Sequence, residues 1–247
     1  MRLTVVGCGD AFGSGGRLQT SFHVSSHNGE FLIDCGATTL LGLQRLKIDP
    51  DNISKIFISH LHGDHFSGLA WLWIYFVYLS KRKKDLLIYG PLGLEERFFI
   101  MTEALFPGSL KSPREFEFKF VPYKNKDSLF IDNITLNPFE VSHPSGAPSY
   151  GLRILCEDRI LSFSGDTEWV DALRTIAEDS HFFITECFTY TSLVRYHLNW
   201  TILEKMLPSL NAQKVLISHM GPEMLAHKET IFHPKVTFGD DGQIFDI

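Results

Sequence analysis

Ser59-His60-Leu61-His62-Gly63-Asp64-His65 constrains this chain more than any other stretch. Three imidazoles and one carboxylate stand close together, with the apolar Ile56-Phe57-Ile58 before them and a long apolar segment from Phe66 after them. A buried strand that ends in a polar loop and re-enters a helix would hold these side chains on rigid supports. His60 and His62 sit at i and i+2, with Asp64 and His65 one step further along. A tight turn can aim them at two nearby places but hardly at one. Two metal ions sharing the loop therefore fit better than a single closed tetrahedral site. A lone His on a strand is usually a satisfied structural residue, and a His-x-His pair is a weak signal. Three His with an interleaved Asp, in a chain with no His-rich tract, point to metal.

The 247 residues suit one domain or two small ones and are ample for a large core. A formal charge of -6 argues against a broad electrostatic footprint for nucleic acid. A local one is still allowed, because bound dications add positive charge where it matters. Cys8, Cys35, Cys156 and Cys187 form no Cys-x-x-Cys pair, which argues against thiolate zinc clusters and redox motifs. The chain opens on an apolar strand pattern, Leu3-Thr4-Val5-Val6, without a charged leader or cleavage site. The expectation is a cytoplasmic protein with reduced thiols.

In chain order, strands are expected at Met1–Val6, around the His27-Asn28-Gly29 turn, and at Lys55–Ser59. The glycines of Gly7–Gly13 miss the dinucleotide spacing, the third arriving one residue late, and no amphipathic helix opens there. They read as a turn at the rim of the metal site. Leucines at helical spacing predict a helix over Ala37–Lys47. Leu69–Leu79 is apolar on every side yet well short of the ~20 residues of a membrane span, so no membrane is expected. A buried helix is the first reading, and a self-association surface giving a homodimer is the alternative. Lys81-Arg82-Lys83-Lys84 reads as the solvated end of that helix. Further expectations are a strand at Leu86–Tyr89 and a helix at Leu94–Leu105 with Phe98 and Phe99 on its apolar side. A strand should end at His143, and a hairpin should turn at Glu157-Asp158 and run into Gly165-Asp166-Thr167. A helix over Glu168–Asp179, a strand to Glu186, a helix from Trp200 to Leu207 and a strand ending at His219 complete the pattern. His23, His27, His181, His227 and His233 have no motif around them.

His60-Leu-His62-Gly-Asp64-His65 resembles the His-x-His-x-Asp-His signature of the metallo-β-lactamase-fold hydrolases, and the resemblance covers almost the whole chain. It implies one four-layer αββα domain over residues 1–247. Ile33-Asp34-Cys35-Gly36 matches the family's first motif, whose Asp lies under the metal loop and hydrogen-bonds its ligands. His143, Asp166 and His219 match the later motifs. Position by position, one ion takes His60, His62 and His143, the other takes Asp64, His65 and His219, and Asp166 bridges them. Such a pair of divalent ions would share a hydroxide as nucleophile, which Asp64 orients, since metal lowers the pKa of water from 15.7 to ~7. Imidazole and carboxylate ligands without thiolate favour zinc, with manganese or iron as alternatives.

Glu186-Cys187-Phe188, followed by His197-Leu198-Asn199, resembles the Glu…His pair of ribonuclease Z (tRNase Z) and related phosphodiesterases. The resemblance implies that Glu186 holds His197 over the leaving group, where it donates a proton and binds a phosphoryl oxygen. The substrate it implies is a phosphodiester, either RNA or a small or cyclic one. Two departures from ribonuclease Z stand out. Gly13–Thr20 replaces its Pro-Thr-x-x-Arg-Asn-like stretch, and no basic arm appears for gripping tRNA. Thioester or ester hydrolysis of the glyoxalase or lactonase kind is the alternative, against which Glu186 and His197 argue. A non-catalytic metal-binding module is the third reading, although no expected ligand is missing.

Overall fold

The computed structural model describes residues 1–247. One sheet takes β1 (Arg2–Gly7), β2 (Ser21–Ser26), β3 (Gly29–Ile33), β4 (Ile53–Phe57), β5 (Leu86–Gly90) and β6 (Phe118–Pro122). The other takes β7 (Leu129–Ile131), β8 (Ile134–Val141), β9 (Ser149–Cys156), β10 (Arg159–Phe163), β11 (Phe182–Glu186), β12 (Val215–Ser218) and β13 (Val236–Phe238). The chain then returns as β14 (Ile244–Asp246) to the outer edge of the first sheet, beside β1. Each sheet joins antiparallel hairpins to a parallel half, β3 to β6 in one and β10 to β13 in the other. Parallel strands are covered on both faces, which is why β11 and β12 are apolar or buried at every position.

The helices are α1 (Thr39–Arg45), α2 (Gly63–Phe66), α3 (Gly68–Tyr78), α4 (Leu94–Leu105), α5 (Ala172–Ala177), α6 (Trp200–Met206) and α7 (Pro222–His227). Three apolar layers hold the stack together. Between the sheets lie Phe22, Phe31, Phe57, Leu152 and Phe163, with Phe22 edge-on to Phe163 at 5.6 Å between centroids. Such a pair adds about 0.5–1.5 kcal/mol beyond its burial. Leu43, Leu72, Trp73 and Phe98 pack α1, α3 and α4 on the first sheet, while Leu173, Trp200, Leu203 and Met224 pack α5 to α7 on the second. The fold is a four-layer αββα sandwich, as the resemblance implied.

Three expectations need correction. Arg82 is not a solvated cation: it is buried, donating from Nε to Lys84 O at 2.7 Å and from Nη2 to Asp85 O at 3.0 Å over the ring of Phe76. Its guanidinium closes the loop after α3, where a lysine's single nitrogen would not. The helix expected from Glu168 begins only at Ala172. Thr167 and Glu168 are instead tied to Ser142, just past β8: Thr167 Oγ1 accepts Ser142 N, and Ser142 O accepts Glu168 N. On α4, Phe98 is buried but Phe99 is 43% exposed, since successive helical positions point about 100° apart. The apolar helix α3 is buried through Leu69, Leu72, Trp73 and Phe76, but leaves Trp71 37% and Tyr78 59% exposed. No helix is long and apolar enough to cross a membrane.

Candidate metal centre

The chemistry collects where the parallel strands end. The loops after β4, β8, β10, β11 and β12 meet at one rim of the sandwich, the usual location of sites on such sheets. After β4, backbone pairing continues through Ile58 N to Tyr89 O, so His60 starts from a fully buried segment. His62 caps α2 in extended conformation, and the first turn of α2 presents Asp64 and His65.

Asp34 supports that loop from below. It is wholly buried; Oδ1 accepts Ser59 N at 2.7 Å, and Oδ2 accepts Ser59 Oγ and His65 Nδ1, each at 2.7 Å. Its φ of 57° is left-handed, at a cost of roughly 1–2 kcal/mol, which three donors to one carboxylate offset. Burial pushes its carboxyl upward, against the pull of His65 and Ser59. Two glycines let the neighbouring loop lie directly on α2 and on the start of α3. A Cβ at Gly36 would run into Asp64 O, and one at Gly68 would lie 2.8 Å from Cys35 O.

The second sheet contributes the other half. His143 donates from Nδ1 to Tyr196 O at 3.0 Å, which turns Nε2 toward the site. Asp166 follows Gly165, whose φ is +59° and whose Cβ would sit 2.7 Å from Tyr150 O. His219, also left-handed at φ 54°, donates its backbone N–H to Cys8 O at 2.9 Å. The Gly-rich turn after β1 thus lies against the site through Cys8.

The imidazoles and carboxylates converge in two main groups, His60, His62 and His143, and Asp64, His65, Asp166 and His219, with His197 close enough to join His143 and Asp166 or Glu186 and His219. Within each group the ligand atoms lie within 4.8 Å of one another. His143 Nε2 is 2.9 Å from His62 Nδ1. Asp166 Oδ2 stands between the groups, 3.8 Å from His60 Nε2 and from His143 Nε2, and 3.2 Å from His65 Nε2 and from His219 Nε2. Asp64 Oδ2 lies 3.2 Å from the latter two nitrogens.

The two groups differ electrostatically. Burial pushes His60, His62 and His143 down, His143 to about 4, so these rings keep neutral lone pairs at neutral pH. Burial also works against charge on His65 and His219, but Asp166 and Asp64 overcome it and lift His219 to about 9. Asp64 and Asp166 are held well below the carboxylate range, against burial, by His65 and His219. This half of the site demands positive charge. His60 Nε2, His65 Nε2 and Asp166 Oδ1 are buried and find no hydrogen-bond partner among the protein's groups. An unsatisfied buried polar atom costs about 1–3 kcal/mol, and a pair of divalent cations would satisfy all three.

Beside this cluster, Glu186 ends β11 wholly buried and accepts Thr167 N at 2.5 Å, Leu198 N at 3.3 Å and His197 Nδ1 at 3.1 Å. Burial pushes Glu186 upward; for His197, burial pushes down but the Glu186 contact wins and raises it. His197 stacks parallel to His219 and edge-on to His143, with Nε2 free. His23, by contrast, lies away from the cluster and pairs with Glu30 at 2.9 Å. Sequence reasoning did not find Ser59 and Tyr196, which orient His60 and His143. Ser59's place next to His60 was the available signal, whereas Tyr196 acts through its carbonyl and offers none.

The chain is similar to ribonuclease Z from Listeria monocytogenes, 31% identical over 176 residues that make 67% of this chain and 53% of that protein. It spans about half the length of the curated relatives it matches. Among solved structures it is similar to the short form of human tRNase Z, with TM-score 0.81 and 22% identity over 100% of this chain and 99% of that one. It is also similar to the metallo-β-lactamase fold protein YhfI from Bacillus subtilis, with TM-score 0.82 and 20% identity over 99% and 98%. These likenesses establish the metallo-β-lactamase type of the sandwich. The family model described as Anti-Pycsar protein Apyc1 matches residues 1–245, so the chain belongs to that family.

Proposed function

We propose that residues 1–247 form one hydrolase domain and that it is a dinuclear metal-dependent phosphodiesterase. The observation that carries the reading is the buried Glu186 carboxylate holding His197 at 3.1 Å, beside two converging groups of metal-ligand type. Ribonuclease Z relatives support a phosphodiester substrate, and RNA and a small or cyclic phosphodiester both fit the chemistry.

His60, His62 and His143 would hold one ion, Asp64, His65 and His219 the other, and Asp166 would lie between them. Bound divalent ions supply Lewis-acid stabilisation of phosphoryl charge and bring the acidity of water to a pKa of ~7. Nitrogen and oxygen donors without thiolate favour zinc, and manganese or iron would follow from supply. Asp34 keeps His65 in the tautomer whose Nε2 faces the site, and Tyr196 does the same for His143. Asp64 orients the attacking water. Its carboxylate stays ionised throughout, because His65 and His219 hold it far below its ordinary range. His197, kept charged by Glu186, binds a phosphoryl oxygen and gives the proton on Nε2 to the departing oxygen.

Purified protein with zinc or manganese should hydrolyse bis(p-nitrophenyl) phosphate, and His197→Ala should slow it while metal content stays. Absence of turnover on any phosphodiester, with brisk thioester or lactone hydrolysis, would overturn the reading. Parallel assays on a tRNA precursor and on a cyclic nucleotide separate the two substrate classes. We assign the protein to the cytoplasm on its four free, buried cysteines. We assign a homodimer to the exposed aromatic edge of α3 at Trp71 and Tyr78. A monomeric mass at micromolar concentration would refute that dimer.

A further inference from the structure

We propose that Arg97, on α4, is a positioning residue for the ion-binding group formed by His60, His62 and His143; the inference rests on the metal-centre reading above. The far nitrogens of His60, His65 and His143 each have a protein partner, Ser59 Oγ, Asp34 Oδ2 and Tyr196 O, whereas Nδ1 of the buried His219 has none. His62 has none on Nε2, and it is the least buried of the histidines in the two groups. With no side-chain partner there and less burial than its neighbours, His62 depends on the backbone that leads into it.

Arg97 holds that backbone. Its Nη1 donates to Leu61 O at 3.1 Å and to Ser145 O at 2.9 Å. Leu61 lies between His60 and His62, so this hydrogen bond fixes the peptide plane that leads into His62. Ser145 lies two residues beyond His143. One cation therefore ties a loop from the first sheet to a loop from the second, and those two loops carry all three imidazoles of the group. Hydrogen bonds from a charged donor are worth about 1.5–3 kcal/mol each.

Gly146 gives independent support. It sits at φ +78°, and a Cβ there would fall on Arg97 Nη2. The loop after His143 thus leaves space for the guanidinium as well as a carbonyl for it to bind. Both carbonyls accept from the one Nη1, so a lysine ammonium could replace that contact only without the planar guanidinium that Gly146 leaves room for.

The test is Arg97→Ala in the full chain, titrated with zinc against a competing chelator and with cobalt for its absorption spectrum. Wild type should take up two equivalents. In the variant one equivalent should weaken about 10–100-fold, the usual effect of losing a partner that orients a ligand, while the other keeps its affinity. The cobalt spectrum of the weakened site should change while that of the other site stays as in wild type. If wild type takes up no metal, the metal-centre reading fails. If wild type takes up two ions and the variant binds both equally well, Arg97 has no positioning role. Parallel loss of both equivalents would mark it as merely structural and also overturn the proposal. Should the alanine variant not fold, Arg97→Lys decides, with the same selective loss expected in smaller measure.

Discussion

The proton that His197 would deliver matters only as much as the leaving oxygen needs it, and this makes its contribution measurable. The Nδ1 nitrogen of His197 is engaged by Glu186 at 3.1 and 3.2 Å, leaving Nε2 as the only site for delivery. General acid catalysis is worth about 10²–10⁴ in rate, or roughly 3–5 kcal/mol at 1.36 kcal/mol per tenfold. His197→Ala should therefore slow an alkyl or nucleoside phosphodiester by that factor. It should slow a p-nitrophenyl ester about tenfold or less, because that oxygen departs well without a proton. Glu186→Gln should fall between wild type and His197→Ala on the poor leaving group. The amide keeps an oxygen for Thr167 N, the shortest contact at 2.5 Å, and must turn its NH2 toward Leu198 N and His197. One hydrogen bond to a charged group is then lost, worth about 1.5–3 kcal/mol, or roughly 10- to 150-fold. Burial presses His197 down and Glu186 lifts it, so the same variant should move the alkaline limb of kcat/KM to lower pH. The assay is steady-state kinetics on both esters with metal content measured in every sample. Equal slowing on the two leaving groups, or slowing that tracks metal loss, would refute the general-acid role.

Other consequences can be checked without knowing the substrate. Gly68→Ala sets a methyl 2.8 Å from Cys35 O and onto Gly36 O beneath α2, and should cost about 1–3 kcal/mol in urea denaturation. Lys55 is buried on β4 and reaches the more exposed Asp132 at 3.0 Å. Lys55→Met should leave stability within about 1 kcal/mol of wild type or raise it, whereas Asp132→Asn, which leaves the buried ammonium only Ser54 Oγ at 3.3 Å, should cost more; the reverse order in thermal melts would contradict this account. His23 is lowered below its ordinary 6.5 by burial, against the pull of Glu30. The unfolded chain then binds that proton more readily than the folded one, so stability is full above about pH 6.5 and declines as pH falls below it. His23→Gln should flatten the urea midpoint between about pH 7 and pH 5, and an unchanged slope would discard the assignment.

Much of this was legible because the fold keeps its chemistry at the ends of buried strands. β4, β11 and β12 read as largely apolar runs that stop at polar residues of the site, and each stop is a change of environment that the sequence records directly. α4 was equally plain, starting and ending where the apolar spacing begins and breaks off. What stayed hidden depends on partners far along the chain. The first turn expected of α5 is lost to hydrogen bonds with Ser142, and Arg82 is drawn inward by carbonyls that any residue could have supplied. The short β13 and β14 carry too little pattern to announce themselves, and pairing with β12 and β1 makes them strands.

Asp34 and His219 show why motif and geometry are separate pieces of information. Both match the resemblance as residue types, yet both sit at positive φ, where a non-glycine pays roughly 1–2 kcal/mol and local propensity would place Gly or Asn. Glycine at position 34 would relieve the backbone and lose all three hydrogen bonds that hold Ser59 and His65. Each of those is an interaction with a carboxylate, worth about 1.5–3 kcal/mol, so the side chain outweighs the strain. His219 is held by its own N–H to Cys8 O, and Cys8 N is in turn bound by Asp241 Oδ1 at 3.1 Å. That chain of contacts links the last ligand to the first turn and to the C-terminal segment. The left-handed backbone there is set by tertiary contacts between the chain's two ends, and a reading of neighbours along the sequence has no access to it.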